Sequence, residues 1–249
     1  MTGCDRDRLS EFSAIYDFIG SQDDESNLAL SEIVSERLDG KSVLDIACGT
    51  GKHLIGFLEK GAHVTVIDKC AEELETLVDS YDRYKDRIIA VCDDVLKWKN
   101  ESKYEIVHIG DNSFQTFDSY EDQLLLTKRI ADCISYEGYG LINIVALDAG
   151  NVVDYYRDDR LIKKVNHDGL DVHVYGRLSA DIYRQRLTYH FTSKALSDES
   201  SIKKEHCSCR ITTHSEMERY VSTAGMKIVD CSKRILASGA VSYYYKLAL

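Results

Sequence analysis

Short apolar runs alternate with segments of helical periodicity over residues 41–150. The runs predict strands at 42–46, 63–67, 87–92, 104–110 and 141–145. Apolar residues at helical spacing predict helices at about 51–60, 70–80 and 122–135 between those strands. Strands that alternate with helices imply a parallel sheet with helices on both faces.

The pattern changes on both sides of this alternation. Residues 5–38 carry apolar side chains at helical spacing, so we expect 1–40 to form an N-terminal helical cap. Beyond residue 150, short alternating runs over 160–193 predict an antiparallel meander with turns at 166–169 and 179–181.

The end of the chain returns to helix and strand signals. We assign 41–150 and 213–249 to one core, and 151–212 to an antiparallel insertion within it. The remaining expected elements are a polar linker at 197–201, a strand at 203–212, a helix at 215–223, and strands at 226–235 and 241–248.

One turn in the core carries the chemistry of a nucleoside-binding crevice. The strand 42–46 contains Asp45, and Gly49-Thr50-Gly51 follows it directly. Glycines let the backbone come close to a ligand, where a Cβ atom would clash. The next strand ends at Asp68, whose carboxylate can accept from both hydroxyls of a ribose.

The acid before the turn narrows the choice of ligand. The pattern is Asp45-x-Ala47-Cys48-Gly49-Thr50-Gly51 and lacks the third glycine of a dinucleotide site. A carboxylate there would repel phosphate and suits a cationic ligand. S-adenosylmethionine carries an ammonium and a sulfonium group and no phosphate, so the local chemistry favours it over NAD.

Composition limits the partners. The net charge of −11 argues against a nucleic-acid partner, which needs clustered Lys and Arg. No apolar run reaches the roughly 20 residues of a membrane span, and residues 1–7 lack a secretory signal, so a cytoplasmic protein is expected. The eight cysteines are expected to be reduced thiols. Cys207 and Cys209 beside His206 lack a second pair at zinc spacing, so no metal site is expected.

The turn closely resembles motif I of class I S-adenosylmethionine-dependent methyltransferases, and the resemblance covers about 40–148. It implies an α/β fold: a Rossmann-like, doubly wound, mostly parallel sheet of seven strands with an antiparallel β insertion after strand five. Further signatures follow in order. Gly138-Tyr139-Gly140 resembles the glycine turn before strand five, and residues 109–115 stand where the family lines its methyl-transfer channel.

The resemblance also implies which residues bind the cofactor. Asp68 matches the ribose-binding acid, and Asp94 matches the acid that accepts from the adenine amino group better than Asp93 does. Tyr16 resembles an N-terminal Tyr that closes over the cofactor. The expected set is Tyr16, Asp45, Ala47, Cys48, Gly49, Gly51, Asp68, Lys69, Asp94, Val95, Gly110 and Asn112.

The chain resembles in particular the aminosugar N,N-dimethyltransferases and related small-molecule enzymes, which insert an antiparallel sheet after strand five. This resemblance implies N-methylation of a small-molecule amine. The chain has no proline. It therefore lacks the Asp/Asn-Pro-Pro-Tyr motif of enzymes that methylate nucleobase amino groups and the Pro-Cys nucleophile of cytosine C5 enzymes.

Several alternatives stay open at this point. The acceptor could be a hydroxyl instead of an amine, with a peptide amine less favoured. The chain could also be a non-catalytic partner subunit, or could use the cofactor without methyl transfer. A homodimer is possible, because antiparallel insertions offer sheet edges. Candidates for the base are His167, His173, His190 and Tyr16, or a carboxylate such as Asp111 or Asp148.

Overall fold

The computed structural model of the chain describes Leu30 and residues 34–146, 159–167, 170–195, 198–235 and 241–249. Most of the expected N-terminal cap, including Tyr16, lies outside these residues, as does Asp148. Among the described residues, none of the helices is both long and apolar enough to cross a membrane.

Seven strands form one mixed sheet in the order β10-β11-β5-β4-β1-β2-β3. Strands β1 to β5 are mutually parallel, whereas β11 runs antiparallel to β5, and β10 runs antiparallel to β11. The strands are β1 (Ser42–Ile46), β2 (His63–Asp68), β3 (Ile88–Cys92), β4 (Tyr104–Ile109), β5 (Ile134–Ala146), β10 (Lys227–Ile235) and β11 (Val241–Ala248).

Helices cover this sheet on both faces, as the alternation of elements predicts. They are α1 (Leu54–Leu58), α2 (Ala71–Ser80), α3 (Tyr120–Cys133) and α4 (His214–Thr223), with 3-10 helices at Asp82–Arg87 and Ser113–Thr116. Successive residues of a strand point to opposite faces, so Leu44 and Val43 enter different cores. Both are fully buried. The seven-stranded, doubly wound fold expected from the sequence is confirmed.

A second sheet of four antiparallel strands follows β5. Its order is β6-β7-β8-β9, so each strand pairs with its neighbour in sequence. Its strands are β6 (Arg160–His167), β7 (Leu170–Asp181), β8 (Arg186–Ala195) and β9 (Asp198–Arg210). The antiparallel insertion after strand five is therefore present.

Arg210, the last residue of β9, ties this insertion to the helices of the core. Its guanidinium is buried and donates to Gln123 of α3 over 3.0 Å and to Glu216 of α4 over 2.5 Å. It also reaches Gln185 in the turn between β7 and β8, at 2.9 Å. A single cation thus joins the end of the insertion to two helices and one hairpin turn.

Four local expectations were wrong. Gly138 lies inside β5 instead of a turn. A glycine is needed there because β5 passes so close to β4 that a Cβ atom would lie 2.8 Å from two backbone oxygens. The expected linker at 197–201 largely belongs to β9, a polar edge strand. The expected turn at 179–181 belongs to β7, and the chain reverses at 182–185. Helix α1 spans five residues, because the glycine turn extends to residue 53.

Candidate functional site

The candidate site lies at the carboxyl ends of β1 and β4. Strand β1 pairs with β2 on one side and with β4 on the other, so the strand order reverses at this point. Crevices at such reversals are where open α/β sheets bind ligands. The glycine turn after β1 and the loop after β4 meet here.

The turn after β1 is held in conformations that favour glycine. Ala47, Gly49 and Gly51 all have positive φ, at 52°, 53° and 87°. The amide of Ala47 donates to the Ile67 carbonyl over 2.8 Å, and the Tyr81 hydroxyl donates to the Gly51 carbonyl over 3.0 Å. A Cβ atom on Gly51 would lie 2.9 Å from Leu77, so this glycine lets the turn pack on α2.

Asp68 connects this turn to the end of β2. Its Oδ2 accepts from the Gly49 amide, and its Oδ1 accepts from the Cys70 amide, each over 3.0 Å. The side chain is half-buried. A carboxylate has about four acceptor positions, so each oxygen keeps capacity for a ligand hydroxyl. The carboxylate is therefore oriented before any ligand arrives.

Asp94 lies after β3, at the same edge of the sheet. Its Oδ1 accepts from the Leu96 amide over 3.1 Å, and Lys69 Nζ lies 3.4 Å from its Oδ2. Burial alone would raise the pKa of Asp94, but these interactions and Lys97 outweigh it and lower the pKa. Val95 beside it is buried in the core. Asp94 is an ionised acceptor that already orders its own turn.

Asp45 and His108 form a buried pair under the turn. His108 Nδ1 lies 2.7 Å from Asp45 Oδ1, and the two side chains are 0% and 4% exposed. The His108 ring packs edge-on against Phe57 and against His53, with centroids 5.4 and 5.2 Å apart. His108 is therefore a core histidine, and the carboxylate of Asp45 is engaged by protein.

The loop after β4 is bound to the glycine turn by charge. Asp111 Oδ2 lies 3.0 Å from Lys52 Nζ, and Asp111 Oδ1 lies 3.4 Å from His53 Nε2. Burial alone would raise the pKa of Asp111, but His53 and Lys52 together hold it well below its ordinary value. A carboxylate that stays ionised at this pKa is a poor proton acceptor near neutral pH. Asp111 is therefore disfavoured as the base.

The histidine candidates for the base lie on the second sheet. His190 pairs in register with Arg177 and His206, and its Nε2 lies 2.9 Å from Ser179 Oγ. Burial, followed by the charges of Arg177 and His206, lowers the pKa of His190. His173 pairs with Lys194, and His167 ends β6. These positions do not belong to the edge formed by the glycine turn, Asp68 and the loop after β4.

The thiol of the glycine turn is not reactive. Burial, with the nearby carboxylates of Asp45 and Asp68, raises the pKa of Cys48 far above its ordinary value. Since the thiolate is the nucleophilic form, Cys48 lines the turn as a small apolar group. Among the described residues, no group of three or more His, Cys, Asp or Glu side chains is arranged to hold a metal ion.

Comparison with known proteins shows which family of nucleoside-binding domains the glycine turn and its neighbours resemble. Residues 43–138 match a family model described as "Methyltransferase domain". This part of the chain is a methyltransferase domain. The match contains the glycine turn, Asp68, Asp94 and the loop after β4. Similarity to this family over residues 43–138 indicates S-adenosylmethionine as the cofactor of the domain.

Solved structures share the whole architecture around this domain. An S-adenosylmethionine-dependent methyltransferase from Clostridium acetobutylicum ATCC 824 aligns with a TM-score of 0.73 and 17% identity, over 97% of this chain and 98% of that one. CalS10, an amino pentose methyltransferase from Micromonospora echinaspora solved with S-adenosylmethionine bound, aligns with a TM-score of 0.68 and 15% identity, over 90% of each chain. At these identities the likeness shows the fold.

One curated relative is similar in sequence as well. The cypemycin N-terminal methyltransferase of Streptomyces sp is 29% identical over 117 residues. The alignment covers 47% of this chain and 47% of that protein, so it spans about half the length of the relative.

The residues of the methyltransferase domain fit the cofactor. Gly51 lets the turn pack closely on α2, and Asp68 offers oriented acceptors for hydroxyls. The sequence did not reveal the contacts of Asp111 with Lys52 and His53, or the role of Asn143. Asn143 Oδ1 accepts from the Asn112 amide over 3.2 Å. A polar residue in the apolar run 141–145 was a signal for it.

Proposed function

We propose that this chain transfers a methyl group from S-adenosylmethionine to the nitrogen of a small-molecule amine, such as an aminosugar or another natural-product intermediate. The observation that carries the proposal is the bond from the Gly49 amide to Asp68. It fixes a carboxylate with spare acceptor capacity beside a glycine turn, which suits the hydroxyls of a ribose.

Each side chain at the sheet edge has a proposed part in holding the cofactor. Ala47, Cys48, Gly49 and Gly51 supply the close backbone approach, and Asp68 accepts from the ribose hydroxyls. Asp94, with Lys69 and Val95, lies beside the adenine. Gly110 and Asn112 lie along the methionine portion with Asp45 beneath, and Tyr16 closes over it. When bound, the cofactor supplies an activated methyl group on a sulfonium.

The protein then mainly aligns the acceptor and manages its proton. Alignment and exclusion of water can lower a barrier by up to roughly 7–11 kcal/mol in favourable cases. An amine that arrives protonated must lose a proton before it can attack. His190 has a lowered pKa and is neutral at neutral pH, so it can accept that proton if the insertion covers the acceptor. His173, His167, Tyr16 and Asp148 remain proposals of the same kind.

The choice of an amine is supported by what similar proteins act on. CalS10 is an amino pentose methyltransferase, and its fold extends over the insertion as well as the core. The cypemycin enzyme is an N-terminal methyltransferase, which favours a peptide amine as the second candidate acceptor. An amino pentose and a peptide N-terminus both carry an amino group, which supports nitrogen as the acceptor.

The experiment begins with calorimetric titration of the purified protein with S-adenosylmethionine and S-adenosylhomocysteine. Mass spectrometry then follows methyl transfer to aminosugars, to peptides with a free N-terminus, and to hydroxylated analogues. A mass gain of one or two methyl groups on an aminosugar supports the proposal. A gain on the peptide alone favours the second candidate, and a gain on the hydroxyl analogue alone would contradict N-methylation.

The domain division, the oligomeric state and the location of the protein stay predictions, and all three are compatible with this function. These are the division into a cap (1–40), a core (41–150 with 213–249) and an insertion (151–212), together with a homodimer and a cytoplasmic location. Light scattering of the purified chain would test the dimer. Partial proteolysis that releases a stable core without 151–212 would support the division.

A further inference from the structure

Two successive residues after β4 adopt a conformation that side chains rarely take. Asp111 has φ of 46° and Asn112 has φ of 60°. Each left-handed residue other than glycine costs on the order of 1–3 kcal/mol and persists only where its surroundings hold it. The loop Gly110–Asn112 is therefore held by neighbouring groups.

Gly110 packs tightly beneath two imidazole rings. A Cβ atom there would lie 2.6 Å from the His53 ring and 2.7 Å from the His108 ring. The rings belong to the turn after β1 and to β4. The loop therefore begins at a point where only glycine fits under His53.

Asp111 is then held by the turn that carries the glycines. Lys52 follows Gly51 directly, and its Nζ lies 3.0 Å from Asp111 Oδ2. His53 approaches the other carboxylate oxygen at 3.4 Å. The Lys52 and Asp111 side chains are each 17% exposed, so this ion pair is more strongly coupled than a surface pair.

Asn112 is held from the opposite side. Its amide donates to Asn143 Oδ1 over 3.2 Å, and Asn143 Nδ2 donates to Ser242 Oγ of β11 over 2.8 Å. Asn112 Oδ1 is buried and has no hydrogen-bond partner among the described residues. The loop thus holds a buried acceptor atom on a backbone that is fixed from both sides.

We propose that the clasp formed by Lys52, His53 and Asp111 couples the cofactor turn to the loop Gly110–Asn112. Binding at the turn steadies Lys52 and His53, and through Asp111 it steadies the loop Gly110–Asn112 along the methionine portion of the cofactor. Asp111 is a positioning residue in this scheme. The inference rests on the proposed function, since it requires that the cofactor binds at residues 47–51.

Hydrogen–deuterium exchange with S-adenosylhomocysteine tests the coupling without an acceptor. In the wild-type chain the ligand should slow exchange of amides 48–52 and 110–113. In Asp111→Asn it should still slow 48–52, while the slowing at 110–113 should fall by about tenfold or disappear. Lys52→Gln should behave as Asp111→Asn does, and Lys52→Arg, which keeps the charge, should retain the coupling.

Lys85→Gln is the matched control, because Lys85 forms an exposed ion pair with Asp82 away from the turn. It should leave exchange at both segments unchanged. Once an acceptor is known, Asp111→Asn should lower kcat while the KM for S-adenosylmethionine stays near its wild-type value. A merely structural role would lower the thermal midpoint and affect both parameters together.

Two results would overturn the proposal, and they differ. Failure of the wild-type chain to bind S-adenosylhomocysteine in calorimetry would remove the proposed function and the coupling with it. Normal binding, with the same slowing at 110–113 in Asp111→Asn as in the wild type, would remove the coupling alone.

Discussion

His108 Nδ1 and Asp45 Oδ1 lie 2.7 Å apart in a part of the core that excludes water. The residues are 63 positions apart in sequence and meet because β1 and β4 are neighbours in register. The bond fixes the carboxylate that the glycine turn follows. The integrity of the cofactor turn therefore depends on a residue of another strand.

His108→Phe should destabilise the fold by about 3–5 kcal/mol, since it leaves a buried carboxylate without its partner. Urea unfolding at pH 7 measures the change. Asp45→Asn/His108→Phe, which removes the charge as well, should recover part of that loss. A single variant as stable as the wild type would show that Asp45 finds another partner.

Asp68→Ala should weaken binding of S-adenosylmethionine by roughly 1–3 kcal/mol, because two hydroxyl hydrogen bonds and the anchor of the Gly49 amide disappear. Calorimetric titration measures the affinity directly. Asp93→Ala is the matched control, because Asp93 is an exposed acid at the same sheet edge. Equal affinity of Asp68→Ala and the wild type would refute the ribose assignment.

Gly51→Ala should abolish measurable binding of the cofactor and lower the thermal midpoint. The new Cβ atom would lie 2.9 Å from Leu77, at a φ of 87°. Gly40→Ala separates the strain of a positive φ from the clash with a neighbouring side chain. Gly40 has φ of 72°, and no atom lies within 4 Å of an added Cβ. The substitution should cost about 1–2 kcal/mol of stability and leave affinity unchanged. Similar affinity of the two variants would show that cofactor binding does not need the close packing of Gly51 on α2.

Asp111 should make the stability of the chain depend on acid pH. Its pKa is lowered in the folded state, so its contribution is complete above the unfolded value of about 4 and is lost as the pH falls through the folded pKa. The free energy of unfolding of the wild type, measured with urea, should therefore fall below that pH. The free energy of unfolding of Asp111→Asn should fall less over the same interval. Parallel curves for the two proteins would contradict this prediction.

Arg210→Met should destabilise the chain by about 3 kcal/mol, because it leaves Glu216 and Gln123 without their shared cation. Thermal unfolding measures the change. Arg186→Met is a suitable comparison, because Arg186 pairs with Asp118 at a more exposed place. This substitution should lower the stability of the chain far less. Equal losses would indicate that the guanidinium of Arg210 is not the main anchor.

Local sequence was enough to predict the glycine turn and the alternation of strands and helices, and the resemblance to class I methyltransferases implied the seven strands. Gly49, Gly51 and Asp68 belong to elements whose apolar runs and breaks are adjacent in the chain, so spacing alone places them together. Helix α2 was predicted almost to the residue for the same reason.

Contacts between side chains of distant strands could not be predicted from the sequence. Lys52 and Asp111 are 59 positions apart, and they meet only because β4 lies beside β1. The burial of His53 depends in the same way on a distant residue, because Gly110 leaves room for its ring. Only the first residues of β9 were taken for a linker, because an edge strand can be polar.

The pairing of β5 with β11 has a consequence for synthesis of the chain. Ala146 pairs with Val241, so β5 stays an open edge until nearly a hundred further residues, including the whole second sheet, have left the ribosome. Long-range pairing of this kind is slow and leaves intermediates prone to association. A nascent chain stopped before β11 would expose the unpaired edge of β5, which makes it a substrate for chaperones until β11 emerges.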